Sequence, residues 1–279
     1  MEKTFSFRFY DVSREREEIP SMLEMLRTIA AIENKTDREK LISQDYTVRL
    51  ENLEDDGANA VVGELVRCQG TNFPAELDGN NRKALTAKRL GHSVVFRLNH
   101  KTGVFGIQHD ARIVGPTRIL SYIAAFNPAA ISSMLPKINE EAWKKFSKGD
   151  TKKLAIRIAN PGNLNALGGA GEAASTAFRS MAEAYDAPSI LVEISMGHHK
   201  GVLANVVGLA RQLIGGLPGG ARLDRLSAVT YVDDEREEFD LIEDRKVVRD
   251  VLDIHDRDHE TNWKIKRDYL SQEMKKAFG

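Results

Sequence analysis

Apolar residues in the N-terminal half of the chain recur at every second position, which predicts strands. The clearest case is Lys3–Tyr10, where Phe5, Phe7 and Phe9 are spaced as in a half-buried strand. The same reasoning predicts strands at Tyr46–Leu53, Ala60–Arg67, Ser93–Leu98 and Val104–His109, the last two joined by a hairpin loop in which Gly103 takes positive φ.

Two segments of this half have helical periodicity instead. Met22, Leu26 and Ile29 recur at helical spacing, and Arg118–Phe126 also carries one apolar face. The polar and basic stretch Asn81–Gly91 follows neither rhythm, and we expect a helix or an ordered loop there.

The second half of the chain predicts strands and helices in the order β-α-β-α-β. These five elements are Lys153–Ala159, Gly171–Tyr185, Ser189–Ser195, Val202–Ile214 and Leu226–Val232. Beyond them we expect one or two strands in Phe239–Ile254 and a terminal helix at Asn262–Phe278.

Together the patterns predict a mixed α/β, or α+β, protein. We expect a β-rich domain with a basic surface over residues 1–149 and a layered β-α-β-α-β domain over residues 150–232. An acidic segment that ends in a helix would occupy residues 233–279. The first boundary is placed at Gly149-Asp150, after a basic connection over residues 136–150.

Composition places this fold among intracellular globular proteins. Apolar residues make up 42% of the chain and charged residues 29%, close to the globular average. The single Cys68 excludes an internal disulfide. No signal peptide is apparent, and no apolar run reaches the roughly 20 residues of a membrane helix. We therefore expect a soluble, cytoplasmic protein that is not membrane-inserted.

Charge is distributed unevenly along the chain although the formal net charge is −1. Residues 61–160 contain 7 acidic and 16 basic residues, a net charge of +9. Residues 1–60 and 231–279 each have a net charge of −5. Segregated charge of this kind bears on binding partners rather than on fold.

Two glycine-containing segments are candidate phosphate-binding sites. Gly169–Ala174 matches the dinucleotide fingerprint G-x-G-x-x-A, and Glu193 stands where a ribose-binding acid could lie. The preceding predicted strand ends near Ala159, which leaves no tight turn, so an ordinary glycine-rich loop is favoured. The loop around His198-His199 is also favoured as a polar loop over a phosphate site.

The remaining chemical signals are incomplete. His255 and His259 have the i, i+4 spacing of metal ligands on a helix but lie in a charged surface segment. No nucleophile motif surrounds Cys68, which we expect to be buried or inert. The acids of Asp233–Glu235 and Glu237-Glu238 are expected to form a solvated turn rather than a nuclease metal site. We expect no catalytic residue, no metal site and no cofactor.

Basic residues provide the best functional indication, because cations near phosphates release condensed counterions from DNA. Few aromatic residues accompany them, so contact with a duplex backbone is favoured over base stacking. The candidate DNA-binding residues are Arg82, Lys83, Lys88, Arg89, Arg97, Lys101, Arg112, Arg118, Lys144, Lys145, Lys148, Lys152 and Lys153. A solvated basic face, or a partner for the acidic ends of the chain, remains the alternative.

The order of elements resembles that of the RexA-type phage exclusion proteins, which are similar in fold to the recombination-associated RdgC proteins. The likeness is strongest over Val104–Ile123, where a strand with an inner glycine leads through Gly115-Pro116 into a helix. The β-α-β-α-β order and the charged helical C-terminus also agree. The resemblance implies a symmetric homodimer that binds duplex DNA with little sequence preference. It also implies a role in phage exclusion or lysogeny control, in which a membrane protein is a possible partner.

Three functional hypotheses follow. The first is a dimeric, sequence-nonspecific duplex-DNA-binding protein of phage or prophage origin. The alternative is a protein–protein interaction module, or an inhibitor of a host or phage factor, that does not bind DNA. The third is a nucleotide-dependent enzyme that uses Gly169–Ala174 or the His198-His199 loop.

Overall fold

The computed structural model divides the chain into two compact units. It describes all residues except 15, 44, 111, 131, 164–170, 215–216, 218–220, 243–245 and 279. The first unit comprises Met1–Met134 and Val247–Gly279, and the second comprises Leu135–Lys246. These limits differ from the predicted boundaries at 149 and 232. The C-terminal part of the chain belongs with the N-terminal part and does not form a separate tail.

The first unit is built on an antiparallel sheet whose strands follow the order β14-β1-β8-β7-β4-β3-β2. Its elements are β1 (Glu2–Arg14), α1 (Met22–Ala30), β2 (Lys40–Ser43), β3 (Tyr46–Asp55), β4 (Ala60–Gln69), β5 (Glu76–Asp78), β6 (Asn81–Lys83), β7 (Leu90–Asn99), β8 (Val104–Gln108), α2 (Pro116–Ala124), β14 (Val247–Asp253) and α6 (His259–Phe278). The predicted strands and helices of this half are confirmed to within a few residues.

Helices α1 and α2 cover one face of this sheet. Helix α1 begins at a capping box, in which Ser21 and Glu24 satisfy each other's backbone amides. The Tyr122 hydroxyl joins α2 to the layer beneath it: it donates to the Arg38 carbonyl and accepts from the Leu50 amide. Such fully satisfied buried groups hold helix and sheet in one arrangement.

Helix α6 covers the opposite face. Its Trp263, Leu270 and Met274 are buried against Phe7 and Phe9 of β1. Gly106 permits this close approach, because a Cβ atom there would lie 2.5 Å from the Met274 sulfur. Strand β14 pairs with β1 from Glu2↔Asp253 to Arg8↔Val247, so both ends of the chain build the same layer.

The second unit is a four-stranded antiparallel sheet with the order β11-β10-β12-β13. Its elements are α3 (Glu140–Lys148), β10 (Asp150–Ala159), a 3-10 turn (Pro161–Asn163), α4 (Glu172–Tyr185), β11 (Ser189–Ser195), α5 (Val206–Ile214), β12 (Arg222–Val232) and β13 (Glu235–Asp240). Strand β9 (Ser132–Pro136) lies where the chain passes from the first unit to the second. The helices pack on one face of the sheet, where Leu154, Ile156 and Ile158 are buried. The predicted β-α-β-α-β order is confirmed.

Two segments differ from their prediction. Residues 136–150 contain a helix, α3, where only a basic connection was expected. Asn139 caps this helix, and Trp143 and Phe146 give it an apolar face. Residues 81–91 contain no helix, because their first residues form strand β6 and their last two begin β7.

Candidate nucleic-acid interface

A basic arm extends between two paired strands of the large sheet. Gln69 at the end of β4 pairs with Leu90 at the start of β7, and the intervening residues 70–89 leave the sheet and return. The arm, as we call residues 70–89, contains its own two-stranded sheet, in which β5 pairs with β6. Gly79 has a φ of 55° in the connecting turn, a value that glycine adopts without strain. None of the described side chains in the arm is buried.

The arm presents its cations on a narrow ribbon. Arg82 lies opposite Leu77 and Lys83 opposite Glu76, and all four side chains are exposed. Lys88 is exposed in the loop between β6 and β7. A ribbon of two antiparallel strands has the width that the major groove of DNA admits.

The base of the arm is fixed to the sheet by polar contacts. The Arg89 guanidinium donates to both Glu39 oxygens, at 3.2 and 2.7 Å, and Arg49 contacts the same carboxylate at 3.2 Å. The Gln69 amide donates to the carbonyls of Thr71 and Asn72. Arg89 therefore holds the arm in place and is not available to a phosphate.

The other predicted cations of the first unit are dispersed. Arg97 is 3% exposed and contacts Asp56 at 2.6 Å, so we withdraw it from the candidate set. The Arg112 guanidinium donates to both Asp110 carboxylate oxygens, at 3.1 Å from Nε and 2.9 Å from Nη2. Arg118 stacks on the Tyr46 ring at 3.8 Å, and Lys101 is exposed in the β7–β8 loop.

The predicted cations of the second unit are partly engaged as well. Lys145 contacts Glu237 at 3.1 Å, which raises the pKa of Lys145, and Lys153 contacts Glu193 at 2.8 Å. Lys152 donates to the Gly201 carbonyl. Lys144 and Lys148 are exposed and lie four residues apart on α3, hence on one face of the helix. Five of the predicted cations are exposed and make no ion pair with a described residue. They are Arg82, Lys88, Lys101, Lys144 and Lys148.

The unit boundary divides the +9 segment, so its cations belong to two different units. By sequence, the first unit contains 25 acidic and 25 basic residues and the second contains 16 and 15. Neither unit therefore attracts a polyanion through its net charge. Any DNA contact depends on a local cation group such as the arm.

Sequence reasoning missed a pair of arginines on the uncovered face of the second sheet. Arg157 of β10 lies directly opposite Arg225 of β12, and both side chains are exposed. Only the strand register reveals this juxtaposition of like charges, since the two residues are far apart in sequence.

The other sequence motifs offer no reactive centre. Cys68 is buried, and burial raises the pKa of its thiol, as expected for an inert cysteine. Asp233 and Asp234 form the predicted turn: they link β12 to β13 with positive φ at both residues. The other acids assigned to this turn, Glu235, Glu237 and Glu238, lie instead in strand β13. His255 precedes helix α6 and so does not share a helix face with His259.

Two further observations concern metals and nucleotides. Within the described ranges, no three His, Cys, Asp or Glu side chains come together as metal ligands. The fingerprint Gly169–Ala174 lies partly outside the described residues, and helix α4 begins at Glu172.

None of the described helices is both long enough and apolar enough to cross a membrane. No known protein family and no curated protein gives a significant match to this chain.

Proposed function

We propose that this protein binds duplex DNA through the phosphate backbone, with little sequence preference, and that the arm forms the contact surface. The observation that carries the proposal is the exposed arm, which contains four basic and two acidic residues, is built outside the main sheet and is fixed at its base. Cations on such a ribbon can approach phosphates on both sides of a groove at little desolvation cost.

The chemistry of the arm favours backbone contact over base recognition. Phe73 is the single aromatic residue in the sequence of the arm, so stacking on successive unpaired bases is not favoured. Arginine and lysine supply its positive charge, and Asn80 and Asn81 lie at the tip of its turn. Phosphate contacts position a protein on a duplex but carry no sequence information.

Binding to two unrelated duplexes of equal length tests this proposal. At one fixed salt concentration we expect the two dissociation constants to agree within about threefold, since nonspecific binding reads only the backbone. A single strand of the same length should bind more weakly. A preference of 100-fold or more for one duplex, on the order of a specific site, would contradict the proposal.

We also propose that the protein is a homodimer joined through strand β11. This strand is the outermost strand of the second sheet, and its Leu191 and Ile194 are 52% and 38% exposed. Its only charged residue, Glu193, contacts Lys153 at 2.8 Å. An exposed apolar edge strand invites pairing with another strand, and a second copy related by a two-fold axis offers the same edge. This edge also favours the alternative function, a protein–protein interaction module.

Replacing Leu191 with lysine is expected to convert the dimer to a monomer, because a charge placed in the seam of a strand pair must be desolvated. Light scattering after size exclusion should give twice the chain mass of 31.1 kDa for the unchanged protein and the single mass for the variant. Val251→Lys is the matched control, since Val251 is also 52% exposed on an edge strand. A monomeric unchanged protein would refute the dimer, and dissociation by both variants would refute the β11 interface.

The role in phage exclusion or lysogeny control, and a membrane-protein partner, are supported by the resemblance to the RexA-type proteins. A nonspecific, dimeric DNA-binding protein is consistent with such a role.

A further inference from the structure

The first unit contains a cavity of about 470 Å³ at the start of helix α6. Its wall comes from the beginning of β1, Ser93 of β7, the end of β8 with the residues that follow it, strand β14 with Ile254, and the first two turns of α6. The volume lies within the range of small-molecule sites, and polar side chains such as Ser93 and Asn262 line it. The arm contributes no residue to this cavity.

The wall of the cavity is strongly basic. Lys3, Arg112, Arg249 and Lys266 line it, together with two histidines. Among the described residues of the wall, Asp110 has the only carboxylate, and Arg112 donates two hydrogen bonds to it. The other three cations have no carboxylate partner among the described residues of the wall. The electrostatic potential in the cavity therefore favours an anion.

Lys266 is the most informative of these cations. Its side chain is 8% exposed, yet no described residue forms an ion pair or hydrogen bond with its ammonium group. The nearest acidic influence is Glu64, itself 8% exposed and occupied by hydrogen bonds from Asn52 and Ser93. Burial and the neighbouring Lys3 lower the pKa of Lys266, whereas Glu64 opposes them. Buried ammonium groups in native proteins are ordinarily paired in direct contact, whereas Lys266 has the Coulombic attraction of Glu64 but no ion pair or hydrogen bond with a described residue.

A second buried group in the wall is also unsatisfied. Gln108 is 7% exposed, and its Oε1 atom has no hydrogen-bond partner. A ligand that carries a hydroxyl group or a protonated oxygen beside its negative charge would satisfy it after a small movement of the amide.

We propose that this cavity binds a phosphate group, with Lys266 as its buried counter-ion and Lys3 and Arg249 at its rim. Phosphate supplies the charge that Lys266 lacks and enough oxygens for several donors at once. The source is either free phosphate or a small phosphate monoester, whose organic part the volume would also hold. The site is separate from the proposed DNA contact, and the two proposals fail independently.

Calorimetric titration with inorganic phosphate and with ribose 5-phosphate, at matched ionic strength against chloride, tests the site without DNA. We expect saturable one-site binding of at least one of the two, and the tighter one identifies the source. Lys266→Met should weaken that binding at least tenfold, whereas Lys264→Met, an exposed position on the same helix, should leave it unchanged.

A second variant covers the case in which Lys266→Met does not fold. Arg249→Gln changes an exposed residue opposite Ser6 at the rim and should weaken binding several-fold while the fold is kept. Absence of saturable binding of both probes would overturn the proposal. Equal affinity in the unchanged protein and in the folded variants would overturn it as well.

Discussion

Replacing Leu270 with alanine is expected to lower the free energy of unfolding of the first unit by about 2–5 kcal/mol. Leu270 is fully buried between α6 and the sheet, so its truncation leaves a cavity in the core. Trp263 can report the loss directly by fluorescence in urea. The other tryptophan, Trp143, lies in the second unit. It is replaced by phenylalanine in both of the proteins compared, so that only Trp263 contributes to the signal.

The control for this experiment is Val251→Ala, an exposed residue of the same unit whose truncation should change stability by less than about 0.5 kcal/mol. The comparison separates two arrangements of the C-terminal segment. If α6 belonged to a detached acidic tail, Leu270→Ala would be as mild as the control. Such an outcome would contradict the placement of α6 in the core.

Reversing the charge of Arg82, Lys83 and Lys88 together, each to glutamate, is expected to weaken duplex binding by roughly 100-fold at low salt. The variant removes three cations from the arm and adds repulsion of the phosphates. All three side chains are exposed, so the fold should be unaffected. Fluorescence anisotropy of a labelled duplex measures the change.

The matched control reverses Lys200, Arg257 and Lys264, which are exposed and lie outside the arm. It alters the net charge of the protein by the same amount. Retained binding by this control would assign the effect to the arm. Equal losses in both triple variants would mean that overall charge, and not the arm, determines binding.

Local patterns in the sequence were sufficient to predict most elements. The period-two apolar residues of β1 and the helical spacing of Met22, Leu26 and Ile29 correspond to the observed strand and helix. Helix α3 also had a detectable pattern: an asparagine cap, acids in the first turn and lysines in the last. The basic residues of this segment alone predict an exposed connection, whereas Trp143 and Phe146 give the helix its apolar face.

Long-range pairing could not be inferred in this way. Strand β14 joins β1 across more than 200 residues of chain, and no local feature of either segment specifies the other. The unit boundary within the basic segment was hidden for the same reason. Contacts between distant segments depend on the packing of the whole layer.

The candidate site was predicted in part. Arg82, Lys83 and Lys88 lie together on the arm, as their proximity in sequence suggests. Arg97, by contrast, lies between Phe96 and Leu98 in a strand covered on both faces, and its run of apolar neighbours was a sign of burial. The cavity around Lys266 is lined by residues from five elements of the fold, which composition could not bring together.

The most direct test of the DNA-binding proposal is the salt dependence of binding by the unchanged protein to a duplex. Two arm cations, Arg82 and Lys88, make no ion pair with a described residue. At about 0.9 counterions each, they predict that log K falls against log salt with a slope of about −1.8 or steeper. The arm-reversed variant should show a clearly flatter line. A slope near zero, or no binding even at low salt, would contradict backbone binding and leave the protein–protein interaction module as the function to pursue.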